Sequence, residues 1–227
     1  MRVLITAATK GEWMPSFQKI NPKFVKDHNK FSVRFHESGI GLLASSVSLM
    51  KVIYEQKPDL MIQVGIAGCL DTTIPLGKVF AIKDEVIGDL GVQENKQWKD
   101  LFDMQFLKSS SAPFEKKVLP NKWLKQYNVL KLPIKKGVSV NTISTQKDKI
   151  KTLSAKYKAT LESMEGASLH YIGNDLNIPF IQIRAVSNYI GERNKLKWKM
   201  SEAIHNLNET LLNYVDALYK TSNNANY

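Results

Sequence analysis

Residues 180–186, Phe-Ile-Gln-Ile-Arg-Ala-Val, form an almost continuously apolar run introduced by Pro179. Such a run reads as a strand of central type, the kind found in the interior of α/β sheets. The rest of the chain agrees with it: apolar runs of strand length alternate with helix-period segments, the pattern of an α/β fold with a largely parallel or mixed sheet. Val3 to Ala8 reads as a buried first strand, and Phe31 to Glu37 alternates as a second, with Gly39 and Gly41 marking the turn out of it. Between Leu42 and Tyr54 the apolar positions Leu43, Val47, Met50 and Tyr54 recur at helical spacing, which predicts an amphipathic helix stopped by Pro58. Residues 59–64 read as a strand running into a glycine turn at 65–68, and Val79 to Val86 and Gly137 to Ile143 as further strands. Thr160 to Met164 reads as a short strand passing into a helix from Glu165 to about Asn177. A last helix carries Met200, Ile204, Leu207, Leu211, Val215 and Leu218 on the face expected to pack on the sheet. Residues 95–128 lack a clear period, and Ser109 to Pro113 suggest a loop or lid.

The length of 227 residues suits one domain over residues 1–220, followed by a polar, frayed tail at 221–227. No apolar run approaches the roughly 18 to 20 residues that span a bilayer, and the amino terminus lacks a signal-peptide pattern. Cys69 is the only cysteine, which excludes an intramolecular disulfide framework and a Cys-based zinc site. A cytoplasmic protein without a membrane partner is expected. The formal charge of +11 tempts one toward nucleic acid, yet only Arg2, Arg34, Arg184 and Arg193 among the 32 basic residues are arginine. Base and phosphate recognition leans on the bidentate guanidinium, and the lysines are dispersed. The charge therefore reads as a solvated lysine surface that favours an anionic small substrate over a nucleic acid.

Ligands of α/β folds bind beyond the carboxyl ends of strands. Four such places carry unusual residues: Thr9-Lys10-Gly11-Glu12, Gly65-Ile66-Ala67-Gly68, Ser163-Met164-Glu165-Gly166-Ala167 and Ser187-Asn188. Each has a plain explanation. Glu12 and Glu165 suit helix first turns, the glycines suit turns, Met164 suits a core, and Asn188 suits a cap. Together, two carboxylates and an amide at three strand ends point to a site.

The ordered set ATKGE (8–12), SGIG (38–41), PDLMIQVGIAG (58–68), SMEGAS (163–168) and IRAVSN (183–188) resembles the nucleoside phosphorylase/nucleosidase superfamily, within it the methylthioadenosine/S-adenosylhomocysteine nucleosidases and the futalosine hydrolases. The likeness runs from about residue 3 to residue 215. It implies a three-layer α/β/α sandwich around a mixed, barrel-like sheet, a homodimer, and hydrolysis of a nucleoside without cofactor or metal. Cleaving a purine N-glycosidic bond passes through an oxocarbenium-like sugar. By resemblance Glu12 positions and deprotonates the water, Glu165 binds the ribose hydroxyls and faces the cationic sugar, and Arg184 helps hold the water and the acidic cluster. Ile66, Thr142, Ile143, Met164 and Ser187 are the implied substrate contacts.

Asn188 departs from the adenine-specific members, which carry an aspartic acid there. An amide NH2 donates to a 6-oxo group while its carbonyl accepts from a protonated ring nitrogen 7, which suits hypoxanthine and mismatches adenine. That choice, with Gly191, Arg193 and Trp198 matching a GxR…W pattern, implies futalosine, hypoxanthine release and menaquinone biosynthesis. The alternatives are a methylthioadenosine/S-adenosylhomocysteine or aminofutalosine nucleosidase, or a noncatalytic purine-binding protein. Phosphorylases carry a Gly-Asp-Pro turn and an arginine where this chain has ATKGE, whose glutamate repels phosphate. Lys10, Lys96 and Lys108 are candidate partners for a substrate carboxylate.

Overall fold

Eight strands form one sheet in the computed structural model, which describes residues 1–24, 31–95 and 97–224. In chain order the elements are β1 (Arg2–Ala7), α1 (Met14–Phe24), β2 (Ser32–Glu37), α2 (Leu42–Gln56), β3 (Leu60–Cys69), β4 (Val79–Ile87), β5 (Gly91–Glu94), β6 (Gln97–Asp100), β7 (Leu119–Pro120), α3 (Leu124–Tyr127), β8 (Ile134–Ser139), α4 (Lys147–Tyr157), β9 (Leu161–Ser163), α5 (Gly166–Asp175), β10 (Phe180–Tyr189) and α6 (Met200–Asn224). The path β10-β4-β8-β9-β3 closes because β3 also pairs with β10, so these strands form a barrel-like ring from which β1 and β2 extend. The ring is mixed: β3–β10, β4–β8 and β8–β9 are parallel, whereas β4–β10 and β3–β9 are antiparallel. The β5–β6 hairpin stands apart as a second small sheet.

The length of β3 makes this topology possible. One edge runs beside β10, while the other pairs first with β1 through Leu60 to Gln63 and then with β9 through Gly68 and Cys69. Helices cover both faces. α6 packs Leu207, Leu211, Tyr214 and Val215 against Ile62, Val64, Ile181 and Ile183, and on the opposite side Leu49, Ile53, Leu169 and Ile172 meet Leu4, Met61 and Phe180. Each fully buried Leu, Ile or Phe stabilises by roughly 1.5–3 kcal/mol. This is the three-layer α/β/α arrangement around a mixed, barrel-like sheet. Among the described residues, no helix is long and apolar enough to cross a membrane.

Four local expectations change. Residues 65–68 are not a turn but continue β3, for a reason found at the site below. The helix over 42–56 forms, yet its buried face is Ser45, Leu49 and Ile53, while Leu43, Val47, Met50 and Tyr54 are exposed. Both faces of α2 carry apolar residues, and the one that packs is set by the close approach to α5, where Ser46 donates to Ser168 and Ser168 donates to the Leu42 carbonyl. The stretch after residue 220 stays helical to Asn224, with Thr221 and Ser222 donating to the Ala217 and Tyr219 carbonyls; residues 225–227 lie outside the described residues. Lastly, much of 97–128 packs down: Phe114 and Leu119 join Ala167 in a small apolar cluster.

Candidate active site

After β1 the chain enters a 3-10 turn, Lys10–Glu12, which ends on the first acidic residue of interest. One oxygen of Glu12 accepts from the amide of Thr9 at 3.0 Å and from its hydroxyl at 3.3 Å; the other accepts from the Ile66 amide at 3.1 Å. The Glu12 backbone carbonyl is held from beneath by the buried Asn208 of α6, at 3.0 Å. Burial pushes the Glu12 carboxyl above its ordinary range, opposed first by the charge of Arg184 and then by the Thr9 and Ile66 amides, with the Glu165 charge adding to the rise. A carboxylate raised in this way but still hydrogen-bonded is suited to take up a proton.

Arg184 lies on β10, almost wholly buried, and donates to Gln63 of β3 at 2.7 Å. Gly65 explains why β3 runs straight through its glycines. A Cβ at Gly65 would lie 2.0 Å from Arg184 Nη1 and 2.9 Å from Glu12 Oε1, so a side chain there would collide with both the cation and the carboxylate. The same glycine that suggests a turn in the sequence is here a close-approach position inside a strand.

Glu165 sits where β9 gives way to α5, at the N-cap position of that helix. Its Oε1 accepts from the Gly41 amide at 3.1 Å, and its backbone carbonyl accepts from Gln63 at 3.3 Å. Gly41 adopts φ +87°, in the region that favours glycine, so that its N–H can reach the carboxylate. Asn188 follows a bulge in β10, where the pairing with β3 shifts register between Val186 and Asn188. Ser187 at the bulge donates to Asn188 Oδ1 at 2.9 Å, and Asn188 Nδ2 donates to the Tyr189 carbonyl at 3.2 Å.

These groups line one cavity of about 380 Å³, within the size range of small-molecule sites, about 300–1,000 Å³. Glu12, Ile66, Ile143, Met164, Glu165, Ser187 and Asn188 all reach its wall, together with Gly191, Arg193 and Trp198. The Arg193 guanidinium stacks over the Trp198 ring at 5.8 Å. Arg184 is placed behind Glu12, outside the lining. Thr142 is not brought in: its amide donates to Asp89 at 3.0 Å and its carbonyl accepts from Lys149. Of the lysines, Lys10 is exposed beside Glu37 at 3.8 Å, Lys108 does not reach the cavity, and Lys96 lies outside the described residues. No described residue of 95–128 lines the cavity, so that segment forms no lid over it.

Several polar residues near the site were not singled out from the sequence. Glu162 of β9 lines the cavity and is 5% exposed. Behind the wall, Glu85 of β4 is fully buried, accepting from Gln182 at 2.9 Å and Ser139 at 3.0 Å, and burial pushes it up to about 7 against those bonds and the charge of Arg184. His170 of α5 is also fully buried, its Nδ1 beside the Leu119 carbonyl at 2.9 Å, and burial pushes it down to about 4.

The family model for the phosphorylase superfamily matches residues 29–216. The futalosine hydrolase of Thermus thermophilus is 26% identical over 174 residues, 74% of each chain. A 5′-methylthioadenosine/S-adenosylhomocysteine nucleosidase of Staphylococcus aureus is 29% identical over 152 residues, and the match spans 66% of each, just under two thirds of that relative. In structure, the native futalosine hydrolase of Helicobacter pylori strain 26695 superposes with a TM-score of 0.76 at 18% identity, covering 95% of this chain and 97% of that one. The 5′-methylthioadenosine/S-adenosylhomocysteine nucleosidase of the same species, with butyl-thio-DADMe-Immucillin-A, gives 0.74 at 18%, covering 95% and 98%.

Proposed function

The chain belongs to the phosphorylase superfamily, and on that premise we propose that it hydrolyses the N-glycosidic bond of a 6-oxopurine nucleoside, with futalosine as substrate and hypoxanthine as the base released. The observation that carries this reading is the convergence of Glu12, Glu165 and Asn188 on one cavity wall system. Glu12 takes a proton from a water, whose oxygen bonds to the anomeric carbon as the bond to the purine breaks and its electron pair leaves with the base. Glu165 accepts hydrogen bonds from the ribose hydroxyls and opposes the positive charge that develops on the sugar. Asn188 donates to the 6-oxo group and accepts from nitrogen 7, whose proton comes from solvent because an amide supplies none. Ile66, Met164 and Ser187 pack around the nucleoside. Arg184 positions Glu12 from behind. Hydrolysis is favoured over phosphorolysis because the place of a phosphate is held by the Glu12 carboxylate.

The reading includes a homodimer, supported by the exposed apolar face of α2, a cytoplasmic location, with which a sole, free cysteine agrees, and a role in menaquinone biosynthesis, which follows from futalosine as the substrate. It also takes residues 1–220 as a single domain. The likeness to the Staphylococcus nucleosidase favours a second reading, adenine release from methylthioadenosine or aminofutalosine.

The two readings separate when futalosine, aminofutalosine, methylthioadenosine and inosine are offered in parallel and free base is followed by chromatography. Hypoxanthine from futalosine is the expected product, and Asn188→Asp is expected to shift preference toward 6-aminopurines. Faster adenine release by the unaltered protein would overturn the 6-oxopurine assignment.

A further inference from the structure

Glu165 stands at the N-cap position of α5, yet its side chain does not cap the helix. An N-cap side chain ordinarily accepts from the first amides of its helix, which have no partner within the helix itself. The Glu165 carboxylate accepts from the Gly41 amide instead, and the capping contact comes from another strand: the Ser139 hydroxyl of β8 accepts from the Ala167 amide at 2.8 Å. A hydroxyl has one hydrogen, and where that hydrogen points decides where the lone pairs face. Ser139 donates it to Glu85 of β4 at 3.0 Å, which leaves the oxygen to accept from α5.

The fit around Glu85 is close. A Cβ at Gly137 would lie 2.2 Å from Glu85 Oε1, and one at Gly166, the residue after Glu165, would lie 2.1 Å from the same atom. The carboxyl group therefore rests against the backbone of the first helical residue of α5, and Gln182 of β10 donates to it at 2.9 Å. Burying a carboxyl group so completely is costly. The steps assigned to Glu12, Glu165 and Asn188 make no use of it.

We propose that Ser139 and Glu85 are positioning residues for Glu165: the hydroxyl, oriented by the buried carboxyl group, caps α5 in place of the Glu165 side chain, whose carboxylate is thereby left for the ribose. A second support comes from Gln63, which donates to the Glu165 carbonyl at 3.3 Å and accepts from Arg184 at 2.7 Å. Ser139, Glu85 and Gln63 all lie outside the cavity lining. The carboxylate that meets the sugar is thus held in place by groups that do not touch the ligand, and its own oxygens are spared that task. This inference rests on the nucleoside-hydrolase reading for the role of Glu165 and goes beyond it by assigning two residues that the reading leaves unused.

The test starts from Ser139→Ala, which deletes a single oxygen. It should lower kcat/KM for futalosine by about 10- to 100-fold, the scale on which a small displacement of a working group costs rate. The fall in kcat should exceed the rise in KM, because the sugar charge that Glu165 opposes develops only in the transition state. In a Glu165→Gln background the same change should cost no more than about 2-fold, since a residue that acts through Glu165 has little left to act on. Equal losses in the two backgrounds would overturn the proposal. Glu85→Gln, whose amide oxygen still accepts from Ser139, should stay within about 3-fold of the unaltered protein, whereas Glu85→Leu, which cannot accept, should lose about 10-fold. Equal activity in these two would remove Glu85 from the assignment, and where Glu85→Leu fails to fold, Ser139→Ala in its two backgrounds decides. Hydrogen exchange at the Gly41 amide, which donates to Glu165, reads the carboxylate without turnover. Relative to the Ile62 amide of the central sheet, it should quicken about 10-fold in Ser139→Ala and stay unchanged in Glu85→Gln. Unchanged exchange in Ser139→Ala would overturn the proposal even if turnover fell. Absence of base release from every nucleoside offered would instead overturn the hydrolase reading, and exchange at Gly41 would still judge Ser139 and Glu85.

Discussion

Two regions of this molecule reverse the ordinary distribution of residues, in opposite senses. Behind the cavity, charge and amide groups occupy the protein interior: Arg184 is 1% exposed, and Glu85, Gln182 and His170 are wholly buried. On the outer face of α2, apolar side chains occupy the surface, with Leu43 78% and Tyr54 83% exposed. Charged residues are almost never fully buried unless paired, whereas scattered surface apolar residues are common. Each member of the interior set has a partner, Arg184 in Gln63, Glu85 in Gln182 and Ser139, and His170 in the Leu119 carbonyl, while Arg184 Nε, Gln182 Oε1 and His170 Nε2 are left without one. The exterior set is a stripe at helical spacing whose members are 44% to 83% exposed. On the proposed function, the contrast separates two purposes, the inward charge set behind the site and the outward apolar surface set where the proposed homodimer would form.

The largest effect expected from disturbing the inward region belongs to Glu12. Glu12→Gln keeps the size of the side chain and can still accept from the Ile66 amide, but it cannot take a proton from water. A loss of about 10²- to 10⁴-fold in kcat is expected, the usual contribution of a general base, with a thermal midpoint near that of the unaltered protein. Base release by chromatography and melting by circular dichroism check both halves. Because Glu12 is raised by burial, the activity of the unaltered protein should also fall on the acid side at a pH above that of an ordinary carboxylate.

Next in size is a pH effect on stability that sets two buried groups against each other. His170, ordinarily at 6.5, is pushed down to about 4, so the folded state holds fewer protons than the unfolded chain between those values, and stability falls as pH drops through that window. Glu85, ordinarily at 4.5, is pushed up to about 7, so the folded state holds more protons between 4.5 and 7, and stability rises as pH drops through it. The two trends oppose each other where the windows overlap, and their joint contribution should be nearly flat. Glu85→Gln removes one of them. Urea unfolding of that variant should then lose about 2 kcal/mol between pH 6.5 and 4.5, the slope approaching about 1.4 kcal/mol for each pH unit in the middle of the window. A slope equal to that of the unaltered protein would show that Glu85 contributes none of the pH dependence, and a flat slope in the variant would show that His170 contributes none.

Much of this was legible before the fold was known, and the exceptions have definite causes. Strands β1, β4 and β10 are visible as apolar runs because burial on both faces leaves little room for polar residues, and Glu12, Glu165 and Asn188 are visible because they interrupt the sequence at strand ends. Glu85 is not, because β4 slips register between Ile82 and Asp84. Simple alternation groups Glu85 with the exposed Lys83; the bulge turns it inward beside the buried Ile82. Gly65 reads as punctuation because a sequence cannot show that an arginine from one strand and a glutamate from a turn will need the volume of its side chain. Thr142 lies near the cavity in sequence order, yet Asp89 draws its backbone away. Such contacts depend on residues far apart in the chain, which no local period carries.

The smallest expected effect on stability, and the one that most sharply tests the outward region, concerns α2. A stripe of four apolar residues on one helix also misled the assignment of its buried face, because Leu43, Val47, Met50 and Tyr54 satisfy a helical period as well as Ser45, Leu49 and Ile53 do. Packing chooses the second set since serines at the contact allow α2 to lie close on α5, and the larger side chains are left outside. If that face meets a second copy, replacing Val47 with Asp and Tyr54 with Ser removes apolar area only from the interface. Each change should then alter the stability of the isolated chain by no more than about 0.5 kcal/mol, while light scattering should report the mass of one chain, 25.7 kDa, in place of two. The single chain should keep its inward network, so the pH behaviour of His170 and Glu85 should be unaffected by dissociation. An assembly that survives both substitutions would place the interface elsewhere and leave the exposed stripe without a role.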